Sequence, residues 1–388
     1  MDAAPPANGS LAYCPPDAAP IPGNRVDLLR DGREAFPAML DAIEGARRSI
    51  HLEMYIFADD GAGRRFAEAL AAAAMRGVEV AVLYDSLGSW RTHPWIFDWM
   101  RAHEVRVLGY RPLLPWRRGW GWPRRDHRKI LVVDGTVAFT GGINVTDDWM
   151  DPSTGGRGWR DTMIRIEGPA AAAFDALFRR VWEREARRQR RSAPLLPPPP
   201  PAPAAGDVPV VVVANGERRR RRAIRRAYRW AIRRATERIC IANPYFVPDP
   251  GTLRSLRRAR QRGVRVLLLL PGTSDVASVQ WAARATYQRL LEWGVEIFHW
   301  CAPVFHAKTA AIDGAWASVG TCNLDTQSLR YNLEVTAVVP DRRMARILER
   351  MFLDDLDRCK KVDLATWRRR PWWWRLPERF FYLFRAWL

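Results

Sequence analysis

Apolar runs and amphipathic stretches alternate in the same order twice along this chain. Segment 49–86 reads as strand, turn, helix and strand, in SIHLEMYIF, FAEALAAAAMRG and VEVAVLYD. Segment 238–275 repeats that order as RICIANPYF, TLRSLRRARQRG and VRVLLLLPG. Short apolar runs bounded by turn residues predict buried strands, and the longer stretches between them predict helices. Tyr55 aligns with Tyr245, and Arg76-Gly77-Val78 aligns with Arg262-Gly263-Val264. A third strand follows in each half, at Val105–Leu108 and at Val295–Phe298. Each half then closes with a strand after Asp161 or Glu334 and a long helix, over roughly 169–189 and 341–358. Strands alternating with helices predict an α/β fold, and two copies predict a pseudo-two-fold, bilobal molecule.

Between the copies lies a segment, 192–209, with five consecutive prolines at 197–201. Such a run can join neither a helix interior nor a central strand, and predicts an extended, semi-rigid connector. The organisation expected is a flexible N-terminal segment (1–25), a first half (26–191), the linker (192–209), a second half (210–358) and a Trp/Arg-rich tail (359–388).

Composition narrows the chemistry. The five cysteines are scattered, without a C-x-x-C pair, which argues against a disulfide framework or a zinc site and suits a reducing compartment. The net charge of +20 is carried almost entirely by arginine and implies an anionic partner: nucleic acid, anionic lipid or a phosphorylated substrate. The first 25 residues lack the apolar core of a secretion signal, and no run of 18 apolar residues occurs, so a soluble or peripheral protein is expected.

Against that background one short motif stands out. His127-Arg128-Lys129 is followed by Asp134, then by Gly141-Gly142-Ile143-Asn144; His306-Ala307-Lys308 is followed by Asp313, then by Gly320-Thr321-Cys322-Asn323. The two copies single out two of only six histidines in the chain. A His and a Lys two apart share one face of a strand, and two such strands facing each other would surround one anion with two imidazoles and two ammonium groups. One imidazole can attack phosphorus while the second, protonated, gives its proton to the leaving oxygen. Lys129 and Lys308 offset charge on the non-bridging oxygens. Asn144 and Asn323 either donate amide N–H groups to those oxygens or serve as ordinary turn residues.

Asp134-Gly135 and Asp313-Gly314 each sit between apolar runs and predict hairpins with two-residue loops. That register sets His127 opposite Gly142 and His306 opposite Thr321, small residues that leave a phosphate room to approach backbone N–H groups. Asp134 and Asp313 read as turn formers before catalysts. A nucleophilic imidazole needs an acceptor on its other nitrogen. Asp161 and Glu334, each opening a strand, are the candidates, with an exposed carboxylate at a strand end as the competing reading. The arrangement calls for no metal and no cofactor.

The paired pattern H-x-K-x4-D-x6-G-[GST]-x-N resembles the phospholipase D superfamily over nearly all of residues 26–350. Within it, Gly32-Arg-Glu-Ala-Phe-Pro, Ile50-His-Leu-Glu-Met-Tyr-Ile-Phe and Asn323-Leu-Asp-Thr-Gln-Ser-Leu-Arg-Tyr-Asn-Leu-Glu look like the bacterial cardiolipin synthase branch. The resemblance implies two phospholipase D-like α/β/α repeats with one shared active site. It also implies a phosphatidyl-histidine intermediate on one His, with the other as acid and then base, and His127, Lys129, Asn144, His306, Lys308 and Asn323 match position by position. Gln327 departs from the arginine usual in relatives. The transmembrane pair of the larger synthases has no counterpart at the N-terminus, so the chain resembles the shorter, peripheral subtype.

Phosphodiester chemistry alone does not choose between lipid and nucleic acid, and aromatic residues decide the expectation. In the tail, Leu376, Phe380, Leu383, Phe384 and Trp387 fall at helical spacing beside Trp372, Trp373 and Trp374. That composition fits a segment lying in a bilayer interface, with docking on the protein's own core as the alternative. Trp116, Trp120 and Trp122, mixed with arginines just before His127, suit lipid head groups but also single-stranded nucleic acid. Trp90, Trp95, Phe97, Trp99 and Met100 read as a buried helix face. Residues 218–238 read as a basic helix with Ile224, Tyr228 and Ile232 facing the core.

The expectation is a phosphatidyltransferase on anionic phospholipid (phosphatidylglycerol), with no nucleic acid and no obligate protein partner, peripheral on the cytoplasmic face of the bacterial inner membrane. A hydrolytic phospholipase D and a nuclease are the alternatives.

Overall fold

The computed structural model describes residues 9–16, 18–113, 124–216 and 222–385. They form two compact units. The N-terminal unit is Ile21–Val208 with Tyr331–Val335; the C-terminal unit is Pro209–Arg330 and Thr336–Leu388 with the segment through Pro20.

The strands of the N-terminal unit are β1 (Ile21–Arg30), β2 (Ser49–Met54), β3 (Glu79–Asp85), β4 (Arg106–Tyr110), β5 (Ile130–Val133), β6 (Val137–Gly141) and β7 (Thr162–Glu167). They lie in the order β1-β7-β6-β5-β2-β3-β4. β2, β3 and β4 run parallel, with Ile50 beside Val80 and Val82 beside Val107, and the other pairs are antiparallel. Alternation along β3 sends Val80 and Val82 into the core beneath α1 (Asp31–Glu44), α2 (Gly61–Met75) and α3 (Trp95–Ala102). Ala81 and Leu83 pack on the other face, against Phe178 and Trp182 of α4 (Ala171–Gln189). This is the period-2 logic of a strand covered on both sides.

The C-terminal unit repeats the plan. Its strands are β8 (Val208–Asn215), β9 (Arg238–Ala242), β10 (Arg265–Pro271), β11 (Glu296–Trp300), β12 (Thr309–Ile312), β13 (Trp316–Gly320), β14 (Glu334–Val339) and β15 (Cys359–Lys361). They are ordered β15-β11-β10-β9-β12-β13-β14-β8, and β9, β10 and β11 are parallel. Helices α5 (Ala223–Arg234), α6 (Pro250–Gln261) and α7 (Ala277–Glu292) share one core with Val266, Leu268 and Leu270. Short α8 (Thr326–Arg330) precedes β14, and α9 (Arg342–Leu356) packs on β12 and β13. Local chemistry matches too. The side chains of Asp60 and Asp249 cap α2 and α6 through the N–H groups of Gly63 and Gly251. Gly77 (φ 87°) and Gly263 (φ 86°) end the same helices in the left-handed conformation that favours glycine.

Three segments differ from the sequence expectation. Described residues of the N-terminal segment are held in place: Cys14 is buried, the Tyr13 hydroxyl donates to Asp313 at 2.7 Å, and β1 already begins at Ile21. The Pro-rich segment is extended but bound along the N-terminal unit. Leu196 N–H donates to Glu79 (2.7 Å), Arg179 to Leu196 O (2.6 Å), Trp182 Nε1 to Ala193 O (2.8 Å) and Arg48 to Pro197 O (2.9 Å). Prolines keep every carbonyl available as an acceptor, which is how such a run is tied down without a strand of its own. The tail is also part of the fold. β15 pairs with β11, Trp367 of α10 (Leu364–Arg368) is buried, and α11 (Arg375–Leu383) packs on α7.

Candidate active site

His127 is placed by a chain return. His127 N–H donates to Leu333 O at 3.0 Å and Leu333 N–H donates to Arg125 O at 2.9 Å, so residues 331–335 lie beside the start of β5. The next residue, Glu334, is fully buried, with Oε1 3.1 Å from His127 Nδ1. A carboxylate on Nδ1 keeps a proton on that nitrogen and leaves the Nε2 lone pair for chemistry. A carboxylate so placed also stabilises an imidazolium. The alternative of an exposed carboxylate at a strand end does not hold for Glu334.

Lys129 is fully buried; its Nζ donates to His127 O at 2.8 Å and lies 4.9 Å from the Tyr55 ring centroid. The Tyr55 ring meets the His127 ring edge-on, with centroids 4.7 Å apart. Burial, then the charge of Asp85, pushes the Tyr55 hydroxyl well above the usual phenol range. Beneath lies an acidic layer. Asp126 N–H donates to Asp85 at 2.8 Å, and burial raises the Asp85 carboxyl to about 6. Asp126 itself is raised well above the ordinary carboxyl range by burial and then by the charge of buried Glu53, which Arg128 approaches to 3.7 Å. Both chain neighbours of His127 are thus anchored in the interior, which fixes its backbone.

In the C-terminal unit His306 is buried, and Lys308 Nζ lies 2.9 Å from its Nδ1 and 3.1 Å from its Nε2 while also donating to its carbonyl. An ammonium nearly equidistant from both ring nitrogens sits over the edge of the ring rather than along one lone pair, so it brings its charge against the whole imidazole. Tyr245 takes the place of Tyr55, its ring 6.4 Å from that of His306 and its hydroxyl donating to Asp275 at 2.6 Å. Behind, Asp325 is fully enclosed. Burial lifts its carboxyl to about 7, against the Ser328 N–H bond (2.7 Å) and the charge of Lys308. Gln327 lies on α8, partly buried.

The register of both hairpins differs from the sequence expectation. Val133 pairs with Val137 and Ile312 with Trp316, so each loop holds three residues, and the ladder sets Ile130 against Thr140 and Thr309 against Val319. His127 is therefore not in register with Gly142, nor His306 with Thr321. Asp134 and Gly135 both take positive φ, as do Asp313 and Gly314. The aspartates do more than turn the chain. Asp134 accepts N–H bonds from Arg47, Arg48 and Ser49 at 2.8–3.3 Å, and Asp313 accepts those of Thr236, Glu237 and Arg238 at 2.7–2.9 Å. Each pins its hairpin tip to the chain entering β2 or β9.

Gly142 also has a different task. Its N–H donates to Thr162 O at 3.2 Å, and a Cβ there would stand 2.2 Å from Asp161 Oδ1. The space it leaves is filled by that carboxylate rather than kept for a phosphate. Asp161 is fully buried and accepts from Trp149 Nε1 (3.1 Å) and Thr162 N–H (2.7 Å). Asn144 Oδ1 accepts Ile56 N–H at 3.1 Å, which leaves its amide NH2 as the donor end. Asn323 and Thr321 are buried in the C-terminal unit.

Of the aromatic residues expected at a membrane, Trp372, Trp373, Trp374, Phe380 and Phe384 are exposed. Trp116, Trp120, Trp122 and Trp387 lie outside the described residues. The upstream patch is a buried helix face only in part: Phe97 and Met100 are buried, but Trp95 is exposed, and so is Trp90, which precedes α3. Among the described residues no helix is long and apolar enough to cross a membrane. Sequence reasoning aligned Tyr55 with Tyr245 without placing them in the site, and missed Asp85, Asp126 and Asp325. The flanking of His127 by Asp126 and Arg128, buried types only when paired, was the available signal.

Known proteins resemble this chain in sequence and in fold. The family described as "Cardiolipin synthase, PLD-like domain" matches residues 39–182 and 228–356, one match in each half. Cardiolipin synthase A of Salmonella arizonae is 33% identical over 379 residues, covering 94% of this chain and 76% of the relative, and that of Salmonella newport matches to the same extent. Among solved structures, the phosphatidylserine synthase of Haemophilus influenzae superposes with a TM-score of 0.71 at 12% identity, covering 94% of this chain and 95% of that one. Polyphosphate kinase from Porphyromonas gingivalis gives 0.56 at 14% identity, over 88% of this chain and 49% of that one. Those two share the fold. The chain belongs to the phospholipase D superfamily, in its cardiolipin synthase branch, and is a phosphatidyltransferase of that type.

Proposed function

We propose that the protein joins two phosphatidylglycerol molecules into cardiolipin and releases glycerol. One histidine of the pair His127/His306 attacks the phosphorus of the first lipid through its ring nitrogen. The phosphorus–oxygen bond to the head-group glycerol breaks, and the other histidine gives that oxygen its proton. Glycerol leaves, and the phosphatidyl group stays on the first imidazole. A head-group hydroxyl of the second lipid then gives its proton to the second histidine and attacks phosphorus. The phosphorus–nitrogen bond breaks and cardiolipin is released, with both histidines restored. Lys129 and Lys308 offset the charge of the non-bridging oxygens, with Asn144 and Asn323 as neutral donors. Asp161 and Glu334 act as orienting carboxylates.

The observation that carries this reading is the buried Glu334 carboxylate 3.1 Å from His127 Nδ1, which orients the ring for nucleophilic or acid–base work at Nε2. Lipid as substrate is supported by the identity to cardiolipin synthases and by the exposed aromatic tail. Work at the cytoplasmic face of the inner membrane is supported by the net charge of +20, which favours an anionic leaflet.

Incubation with phosphatidylglycerol in mixed micelles, followed by mass spectrometry of the lipids, tests it. Cardiolipin with free glycerol is expected, and phosphatidic acid alone would make the protein a hydrolase. Absence of lipid products together with cleavage of DNA would make it a nuclease. Replacing either His127 or His306 by alanine should remove the product; full turnover by His306→Ala would sink the two-histidine mechanism.

A further inference from the structure

Helix α11 shows three different faces, and one of them packs into the core of its unit. Glu378, Phe381 and Tyr382 turn inward: Glu378 is buried and paired with Arg370 at 2.8 Å, and Phe381 and Tyr382 join the core of the unit. Leu376, Phe380, Leu383 and Phe384 turn outward at 47–74% exposure, extended by Trp372 and Trp373 at 67% and 56%. Trp374 is the hinge of this patch. Its ring meets Trp281 of α7 edge-on at 6.1 Å, and the Arg284 guanidinium lies 5.6 Å from its centroid. The patch is therefore mounted rigidly and is not a dangling tail.

Between the docked and the apolar faces runs the third, with Arg375 and Arg379 one helical turn apart. They border a groove on α7 that also exposes Gln288 and Arg289. The two carboxylates of the groove are already engaged: Glu378 by Arg370, and Glu292 by Arg368 at 2.9 Å. Arg289, Arg375 and Arg379 have no carboxylate partner among the described residues. Three uncompensated guanidinium groups thus stand along one edge of an exposed apolar helix face. Guanidinium groups recognise phosphate diesters by paired N–H bonds, and a helix with apolar and cationic sectors settles at the boundary between acyl chains and head groups.

We propose that the groove between α7 and α11 binds the phosphate of an anionic phospholipid in the leaflet, with Leu376, Phe380, Leu383 and Phe384 seated among its acyl chains. This lipid is held and not turned over, since none of the histidine-site residues lines the groove. The proposal rests on the membrane-surface part of the reading above and names its anchor. A second copy of the chain fits the patch poorly, because a symmetric contact would bring Arg375 and Arg379 of two strongly basic molecules together.

The test is sedimentation of the full chain with phosphatidylcholine vesicles that do or do not contain phosphatidylglycerol. The pair Arg375→Glu and Arg379→Glu should weaken binding to the anionic vesicles by about tenfold or more. The pair Arg375→Lys and Arg379→Lys should restore most of it. Phe380→Ser with Leu383→Ser should weaken binding to both vesicle types. Wild-type affinity in the glutamate pair would overturn the proposal. So would displacement by inorganic phosphate at constant ionic strength, which would assign the groove to a soluble anion, or a concentration-dependent dimer that the serine pair abolishes. A chain that needs the groove for vesicle binding yet makes no cardiolipin in micelles keeps the anchor and removes the reaction. Cardiolipin formation with groove-independent vesicle binding does the reverse.

Discussion

Glu334 and His127 meet across 207 positions of sequence, with the carboxylate 3.1 Å from Nδ1 and no solvent access to the acid. The second motif therefore supplies, in its trailing strand, the orienting group for the histidine of the first. Replacing Glu334 by glutamine keeps the shape and removes the charge that supports an imidazolium. Turnover should fall by about a hundredfold or more, with the Michaelis constant changed only a few-fold. Without the carboxylate the imidazolium is less stable, so the limb of the pH–rate profile that His127 sets should move to lower pH. An unshifted limb in Glu334→Gln would remove Glu334 from this role.

Gly142 gives up a side chain so that Asp161 can sit where it does, with a Cβ only 2.2 Å from the carboxylate oxygen. Gly142→Ala should push Asp161 away from Trp149, at a cost of about 1–3 kcal/mol as an overpacked core site. Urea unfolding reads the stability change, and turnover per folded molecule should fall as well. Unchanged activity in a destabilised Gly142→Ala protein would leave Asp161 a purely structural role.

The motif aspartates should behave in the opposite way. Asp134→Ala leaves the N–H groups of Arg47, Arg48 and Ser49 without their acceptor, and Asp313→Ala does the same to Thr236, Glu237 and Arg238. Each loss should cost on the order of 1–3 kcal/mol, softened where the N–H groups reach water. Turnover of the molecules that remain folded should stay within a few-fold of wild type. A collapse of turnover at unchanged stability would return Asp134 or Asp313 to the chemistry.

Asp325 should make stability depend on pH. Its carboxyl is lifted to about 7 in the folded chain and titrates near 3.9 when unfolded. Between those values the folded state holds a proton that the unfolded chain has released. Stability therefore falls as pH rises through this window, and the full cost is present above it. Asp325→Asn removes the titration and keeps an oxygen for Ser328 N–H. It should be more stable than wild type by on the order of a few kcal/mol near pH 8, with the gap closing toward about pH 4. Denaturant midpoints of the two proteins across that range decide the matter, and a constant gap would refute a buried titration.

The duplicated architecture was legible because both copies keep their periodicity and their punctuation. Gly77 and Gly263 mark the same helix ends, and the His/Lys spacing marks the same strands. The hairpin register was not, because Asp-Gly at a loop tip is compatible with two- and three-residue connections that differ only in where the ladder resumes. Partnership at the site was half visible. Asp161 and Glu334 stood out as strand-opening carboxylates, but which histidine Glu334 serves depends on residues 331–335 joining the N-terminal unit. That crossing is a tertiary event with no local signature. The tail was recognisable as amphipathic, yet its two readings, docked and exposed, proved to be different sides of one helix.

The return of residues 331–335 to the N-terminal unit has a consequence for how the protein is made. During synthesis the first 208 residues can emerge and begin to fold with His127 present but without its acid partner. The ribosome must add well over a hundred more before Glu334 arrives. Until then Nδ1 of His127 lacks the Glu334 carboxylate, in a cell full of phosphate esters. On the proposed mechanism the site is assembled only once Glu334 has been added, and a chain that stops short of it is expected to be inactive.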